Sequence, residues 1–355
     1  MIKLSLTTAV SLLGFASTSW AEAPRVATDI APVHGLVARV MQDISTPDLV
    51  VPAGASPHNH SMRPSEAMAL AQADLVFWMG EPLTPWLQGA ITELAGQARV
   101  VELLEHEATM VLPFREGVGF EPHSHDHAGA PSDDHGHDHD HDTHADHGDH
   151  DHAEDHGEHD HDHEHEHAED HSKDHSDADH ADHAGHDHSG ADPHAWLSPE
   201  NAQAWLGVIA GELSALDPDN AAVYAANAAA GQAEIQAVAD QISANLTGGG
   251  FVVFHDAYQY FEQGFDIQAV GAIALSDASD PSPARIAEIQ QLVKDHGVTC
   301  VFSEPQFNPD LVATVMEGSA AKTVVIDPLG TGLPLGAEFY PALLQKLGDA
   351  MAACQ

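Results

Sequence analysis

The apolar positions of this chain switch repeatedly between a two-residue and a three-to-four-residue period, which predicts short strands alternating with helices. Residues 25–30 read as a strand. Residues 31–43 follow as a helix, with Val33, Leu36, Val37, Val40 and Met41 on one face. Residues 49–51 form a second predicted strand, ended by Pro52 and Gly54, and a loop over 54–66 leads into a helix reaching about residue 73. Residues 75–78 and 99–103 are further strands, with a helix over 82–95 between them. Strands alternating with helices imply a parallel sheet with helices on its faces.

Past residue 192 the pattern resumes. Ser198 is a good N-cap and Pro199 suits the first helical position, while Ala202, Trp205, Leu206, Ile209 and Leu213 mark a buried face. Asp217 and Pro218 repeat that signal and open a helix predicted to reach Leu246, about 43 Å at 1.5 Å per residue. Gly231 interrupts it, but Ile235, Val238, Ile242 and Leu246 keep an apolar stripe. Gly248, Gly249 and Gly250 end it. Strands are predicted at 251–254, 267–271, 298–303 and 323–327, with helices from Ala257, Pro283 and Pro309. The expected fold is α/β, with two parallel-sheet lobes joined by one long helix. The N-terminal lobe spans 24–120 and continues over 192–216; the connector is 217–247 and the C-terminal lobe 248–355.

Residues 121–192 break the pattern. They hold 23 of the chain's 30 histidines and 25 Asp and Glu against one Lys, and contain no Leu, Ile, Val, Phe, Trp, Met or Tyr. Such a stretch buries too little apolar surface to offset the entropy of ordering, so a disordered insertion over 121–191 is expected. Imidazole beside carboxylate collects divalent transition metals. His135, His137, His139, His141, His161, His163, His165 and His167 are the candidates for an accessory metal-binding loop.

Composition narrows the function. The formal charge is −45, and the body outside the insertion is acidic too, which argues against nucleic acid and anionic membranes and suits a protein that attracts cations. Residues 1–23 read as a secretory signal: Lys3, a largely apolar run over 4–15, and small residues around a cleavage point after Ala21 or Ala23. That run is too short to span a membrane, and no Cys near the cleavage point offers a lipid anchor. In an exported chain, Cys300 and Cys354 most simply form one disulfide, with a cysteine-containing metal site as the rival.

Outside the insertion, His58, His255, Glu304 and Asp327 fall at predicted strand ends or in the loops beyond them, where α/β folds keep their ligands, and His194 lies just past the insertion, before a capped helix. Five segments carry a resemblance: Gly54-Ala-Ser-Pro-His58 with Arg63-Pro64-Ser65; Pro193-His194-Ala-Trp196; Phe254-His255-Asp-Ala-Tyr-Gln-Tyr-Phe261; Cys300-Val-Phe-Ser-Glu-Pro-Gln-Phe307; and Asp327-Pro-Leu-Gly330. Together, in order over essentially the whole mature chain, they resemble the metal-specific solute-binding proteins of ABC importers. Within these the similarity is greatest to the zinc-binding periplasmic components.

The resemblance implies a metal site in the cleft between the lobes, with His58 and His194 from the first, His255 from the second, and Zn²⁺ as the bound ion. Asp327 matches the position of a carboxylate ligand in many relatives. Manganese-selective relatives place Glu where this chain has His255, and imidazole suits Zn²⁺ better. Some zinc relatives carry Glu immediately before the first ligand; here that residue is Pro57, which leaves Asp327, a water or a histidine of the insertion for the fourth position. His60, where relatives often have Tyr, is expected at the rim. Cys300 and Cys354 match a disulfide of zinc-type relatives.

The function implied is periplasmic Zn²⁺ capture by a monomer, with delivery to an inner-membrane ABC permease and its cytoplasmic ATPase and no catalysis. A broader-specificity metal buffer and a Mn²⁺ carrier are alternatives. A zinc hydrolase needs a general base beside its water, and the chain has no His-Glu-x-x-His motif.

Overall fold

The computed structural model describes residues 22–115, 117, 119–120, 190–274 and 281–355. Residues 1–21 of the segment read as a secretory signal, and the histidines expected to form an accessory metal-binding loop, lie outside them. Both lobes belong to one compact unit.

The first lobe is built on β1 (Val26–Thr28), β2 (Asp48–Leu49), β3 (Leu75–Trp78) and β4 (Arg99–Glu102), all parallel, in the order β2-β1-β3-β4. The helices α1 (Ala31–Val40), α2 (Pro64–Gln72), α3 (Pro85–Leu94) and α4 (Pro199–Leu216) accompany it. The second lobe repeats the order as β6-β5-β7-β8, again all parallel, from β5 (Phe251–His255), β6 (Gly271–Ala274), β7 (Cys300–Ser303) and β8 (Lys322–Val325). Between these strands come α6 (Gln259–Gly264), α7 (Pro283–Asp295) and α8 (Pro309–Val315). The connector is α5 (Ala221–Asn245), and α9 (Phe339–Ala353) closes the chain. None of the described helices is long and apolar enough to cross a membrane.

The strand predicted over 267–271 is displaced: the residues that pair with β5 are Gly271–Ala274. Residues 267–269 instead close the end of α6, where the Ile267 amide donates to the Glu262 carbonyl and the Ala269 amide to the Glu262 carboxylate. Helix α9 was not anticipated, although Phe339, Tyr340, Leu343, Leu344, Leu347 and Met351 recur at helical spacing and are buried.

Helix α5 packs on α1 and α4 of the first lobe and on α9 of the second. Glycine makes those approaches close. A Cβ on Gly231 would stand 2.9 Å from Arg39 Cγ and 3.0 Å from Leu206 Cδ1, and one on Gly348 of α9 would stand 2.5 Å from Ile242 Cγ1. The residue that weakens α5 by intrinsic propensity therefore lets α1 and α4 reach it. Arg39 adds a two-pronged pair to Glu234 of α5, at 2.9 and 2.8 Å. At the start of α5 the Asp217 carboxylate accepts from Tyr224 Oη at 2.9 Å and Asn220 Nδ2 at 2.7 Å rather than capping backbone, and a short 3₁₀ turn (Pro218–Asn220) precedes the helix. Cys300, on β7, is bonded to Cys354 at the end of α9.

Candidate metal centre between the lobes

Each sheet ends, at the carboxyl side of its strands, on residues that the sequence marked. His255 is the last residue of β5, and Glu304 directly follows β7. These two strands are neighbours on opposite sides of the point where strand order reverses, the usual place for a ligand in an open parallel sheet. From the first lobe, His58 lies in the loop after β2, and His194 immediately precedes the 3₁₀ turn Ala195–Leu197 that leads into α4. Ser198 caps α4 by accepting from the Asn201 amide at 3.1 Å, as its sequence predicts, and this fixes where the chain leaves the His194 turn.

The structure brings three of the predicted histidines together. The ring centroids of His58 and His194 are 5.7 Å apart, and those of His194 and His255 are 5.2 Å apart. Two imidazoles bound to a tetrahedral Zn²⁺ at ~2.0–2.1 Å would place their centroids about 5.2 Å apart. Among the described residues, no group of three or more His, Cys, Asp or Glu stands close enough together in this structure to hold a metal ion. The three rings line one cleft of about 290 Å³, counting its open mouth, together with Trp196, Glu304, Gln306 and Phe307.

Two of the rings are held from behind by buried carboxylates. Asp192 Oδ1 lies 2.7 Å from His194 Nδ1 and also accepts the His194 amide at 3.0 Å. Glu304 Oε1 lies 2.8 Å from His255 Nδ1. In each, a carboxylate on Nδ1 makes that nitrogen the proton-bearing one and leaves the lone pair on Nε2. Burial pushes the Asp192 carboxyl up to about 7, against the opposing pull of the His194 amide and the charges of Arg115 and His255. The His58 loop is pinned differently. Trp86 Nε1 donates to the Pro57 carbonyl at 2.7 Å, and Glu66 accepts the Arg63 amide at 2.6 Å.

His60 is turned away from ligation: its Nε2 lies 2.8 Å from Glu66 Oε2, and its ring meets Trp86 edge-on. His34 Nε2 is engaged with the Pro47 carbonyl at 3.1 Å. Asp327 lies just past β8, with both oxygens committed. Oδ1 accepts from Gln306 Nε2 at 2.9 Å and the Leu329 amide at 3.0 Å, and Oδ2 accepts the Thr331 amide at 2.5 Å.

Asp256, directly after β5, does not cap α6. With Glu262 it forms a buried pair of acids around Arg115, whose Nε donates to Asp256 Oδ1 at 3.0 Å and whose Nη1 donates to Glu262 Oε2 at 2.6 Å. Burial raises both carboxyl pKa values against the pull of Arg115. Burial also works against the Arg115 charge, but Glu262 and Asp256 outweigh it and hold the guanidinium above its ordinary value. Arg115 was not singled out from sequence; 141 residues separate it from Asp256, and nothing local signals the pairing.

A family model described as zinc-uptake complex component A, periplasmic (ZnuA), matches residues 26–354. The chain belongs to this family. Over 99% of its length it is 44% identical to the high-affinity zinc uptake system protein ZnuA of Paracoccus denitrificans, covering 97% of that protein. Over 97% of its length it is 41% identical to the ZnuA of Brucella abortus, covering 95% of that protein. A crystal structure of a ZnuA superposes with a TM-score of 0.64 at 19% identity, over 94% of this chain and 99% of that one, and supports the two-lobed fold.

Proposed function

We propose that this protein captures Zn²⁺ in the periplasm, holding it between its two lobes through His58, His194 and His255, and delivers it to an inner-membrane ABC permease driven by a cytoplasmic ATPase. The observation that carries the reading is the spacing of the three rings, two of them with Nδ1 backed by a buried carboxylate. Neutral nitrogen donors favour Zn²⁺ over Mn²⁺, which prefers more oxygen.

The ion is cargo, so the site must bind and release rather than transform. Drawing donors from both lobes makes binding depend on how the lobes meet, and α5 with its close contacts to α1, α4 and α9 fixes that meeting. The histidine-rich insertion acts, in this reading, as an accessory store or relay of lower specificity, since its redundant ligands impose no geometry. The protein acts as a monomer without catalysis.

Competition titration against a chelator tests the proposal. Mature protein lacking residues 121–190 is expected to retain one tightly bound Zn²⁺. Loss of that ion on deletion would assign tight binding to the insertion and overturn the reading.

A further inference from the structure

The fourth coordination position is open to assignment from the cleft's own polar atoms. Three imidazoles leave a tetrahedral Zn²⁺ one position for an oxygen, and where that oxygen is water its protons need an acceptor. Glu304 Oε1 is occupied by His255 Nδ1, and both oxygens of Asp327 are occupied by Leu329, Thr331 and Gln306.

Gln306 differs from both. It lines the same cleft as the three histidines. Its Nε2 donates to Asp327 Oδ1 at 2.9 Å and reaches Thr331 Oγ1 at 3.4 Å, so the amide cannot be turned over without setting oxygen against carboxylate. Its Oε1 is buried and accepts from no group of the described residues. A buried carbonyl oxygen without a donor is uncommon in folded proteins.

We propose that Gln306 is a positioning residue for the bound ion: its Oε1 accepts a hydrogen bond from the water that completes the Zn²⁺ coordination, while Asp327 acts from behind by orienting the Gln306 amide. This rests on the three-imidazole site proposed above. The charges support a neutral acceptor. Asp192 and Glu304 already place two buried carboxyl groups behind the imidazoles, so a neutral amide adds no third acid beside the ion.

The decisive experiment is a crystal structure of the full chain loaded with Zn²⁺, read together with Gln306→Met and Gln306→Glu in chelator competition and in the visible spectrum of the Co²⁺-substituted protein. The expected structure has one non-protein oxygen on the ion within hydrogen-bond distance of Gln306 Oε1. Gln306→Met is expected to weaken Zn²⁺ binding about tenfold and change the Co²⁺ bands, with the thermal midpoint of the metal-free protein unchanged. Gln306→Glu sets a carboxylate oxygen against Asp327 Oδ1 and adds a charge beside the ion, so its Co²⁺ bands should also differ from those of the parent.

An Asp327 oxygen bonded directly to the ion would overturn the assignment, as would a Gln306→Met variant matching the parent in affinity and spectrum. The wild-type structure decides even if the variants fold poorly. A tight site unaffected by His255→Ala would instead remove the three-histidine reading, so the two failures are distinguishable.

Discussion

The two lobes share one strand order but place different chemistry at the same point of it. In the first, β1 ends next to Asp29, whose buried carboxylate is closed on the chain, accepting the Ile30 and Met79 amides at 2.7 Å each. In the second, the corresponding central strand β5 ends on His255, whose ring lines the cleft with Glu304 fixing its Nδ1. The first lobe seals its reversal point and supplies its histidines from loops instead. The second puts its histidine directly on the strand. A parallel sheet therefore provides the place for a ligand, and only the side chain at the strand end decides whether that place binds or braces.

The comparison predicts separable losses. His255→Ala should weaken the tight site more than about 100-fold, beyond the usual ~10–100-fold effect of a supporting residue, while leaving the fold intact by circular dichroism. Loss of tight binding should leave weak sites measurable by equilibrium dialysis. Glu304→Gln should weaken Zn²⁺ binding by about 10–100-fold, because the amide no longer holds His255 as an anionic partner.

Asp29→Ala should do the reverse. It leaves two buried amides unpaired and is expected to lower unfolding free energy by about 1–3 kcal/mol in urea melts, with Zn²⁺ affinity unchanged. A variant of Asp29 that cost affinity instead would break the division of labour between the lobes.

The last effect is one of pH. Burial pushes the Asp29 carboxyl from 3.8 to about 7, against its backbone hydrogen bonds. Between those values the unfolded chain has released this proton and the folded chain retains it. The contribution of Asp29 to stability is therefore fully present below the unfolded value and is lost as pH rises towards 7, by at most about 1.4 kcal/mol per unit. Asp29→Asn should flatten that slope in melts of the metal-free protein. Zinc binding should run the other way, weakening as pH falls through the histidine range and the imidazoles are protonated.

How much of this was legible in the chain depended on whether the signal was local. The strand at Leu75–Trp78 and the Ser198–Pro199 helix start were readable because apolar runs and caps act within a few residues. Strand β6 was not, because Gly-Ala-Ile-Ala carries almost no β-branched signal and is defined by its pairing with β5. The three histidines were found through the motifs around them, and the structure places their rings about one cleft. Asp192 and Glu304 were visible as residues, but their task was not. Glu304 reaches His255 only because β5 and β7 are neighbours, 49 residues apart in sequence. Arg115 and its two acids likewise belong to tertiary structure alone.

The central claim is that one ion is held by donors from both lobes. Anomalous diffraction at the zinc edge, on crystals of the metal-loaded protein, tests it most directly. The account predicts one strong peak in the cleft, within bonding distance of Nε2 of His58, His194 and His255. A strongest peak outside that cleft, or one in it not bonded to His255, would contradict it.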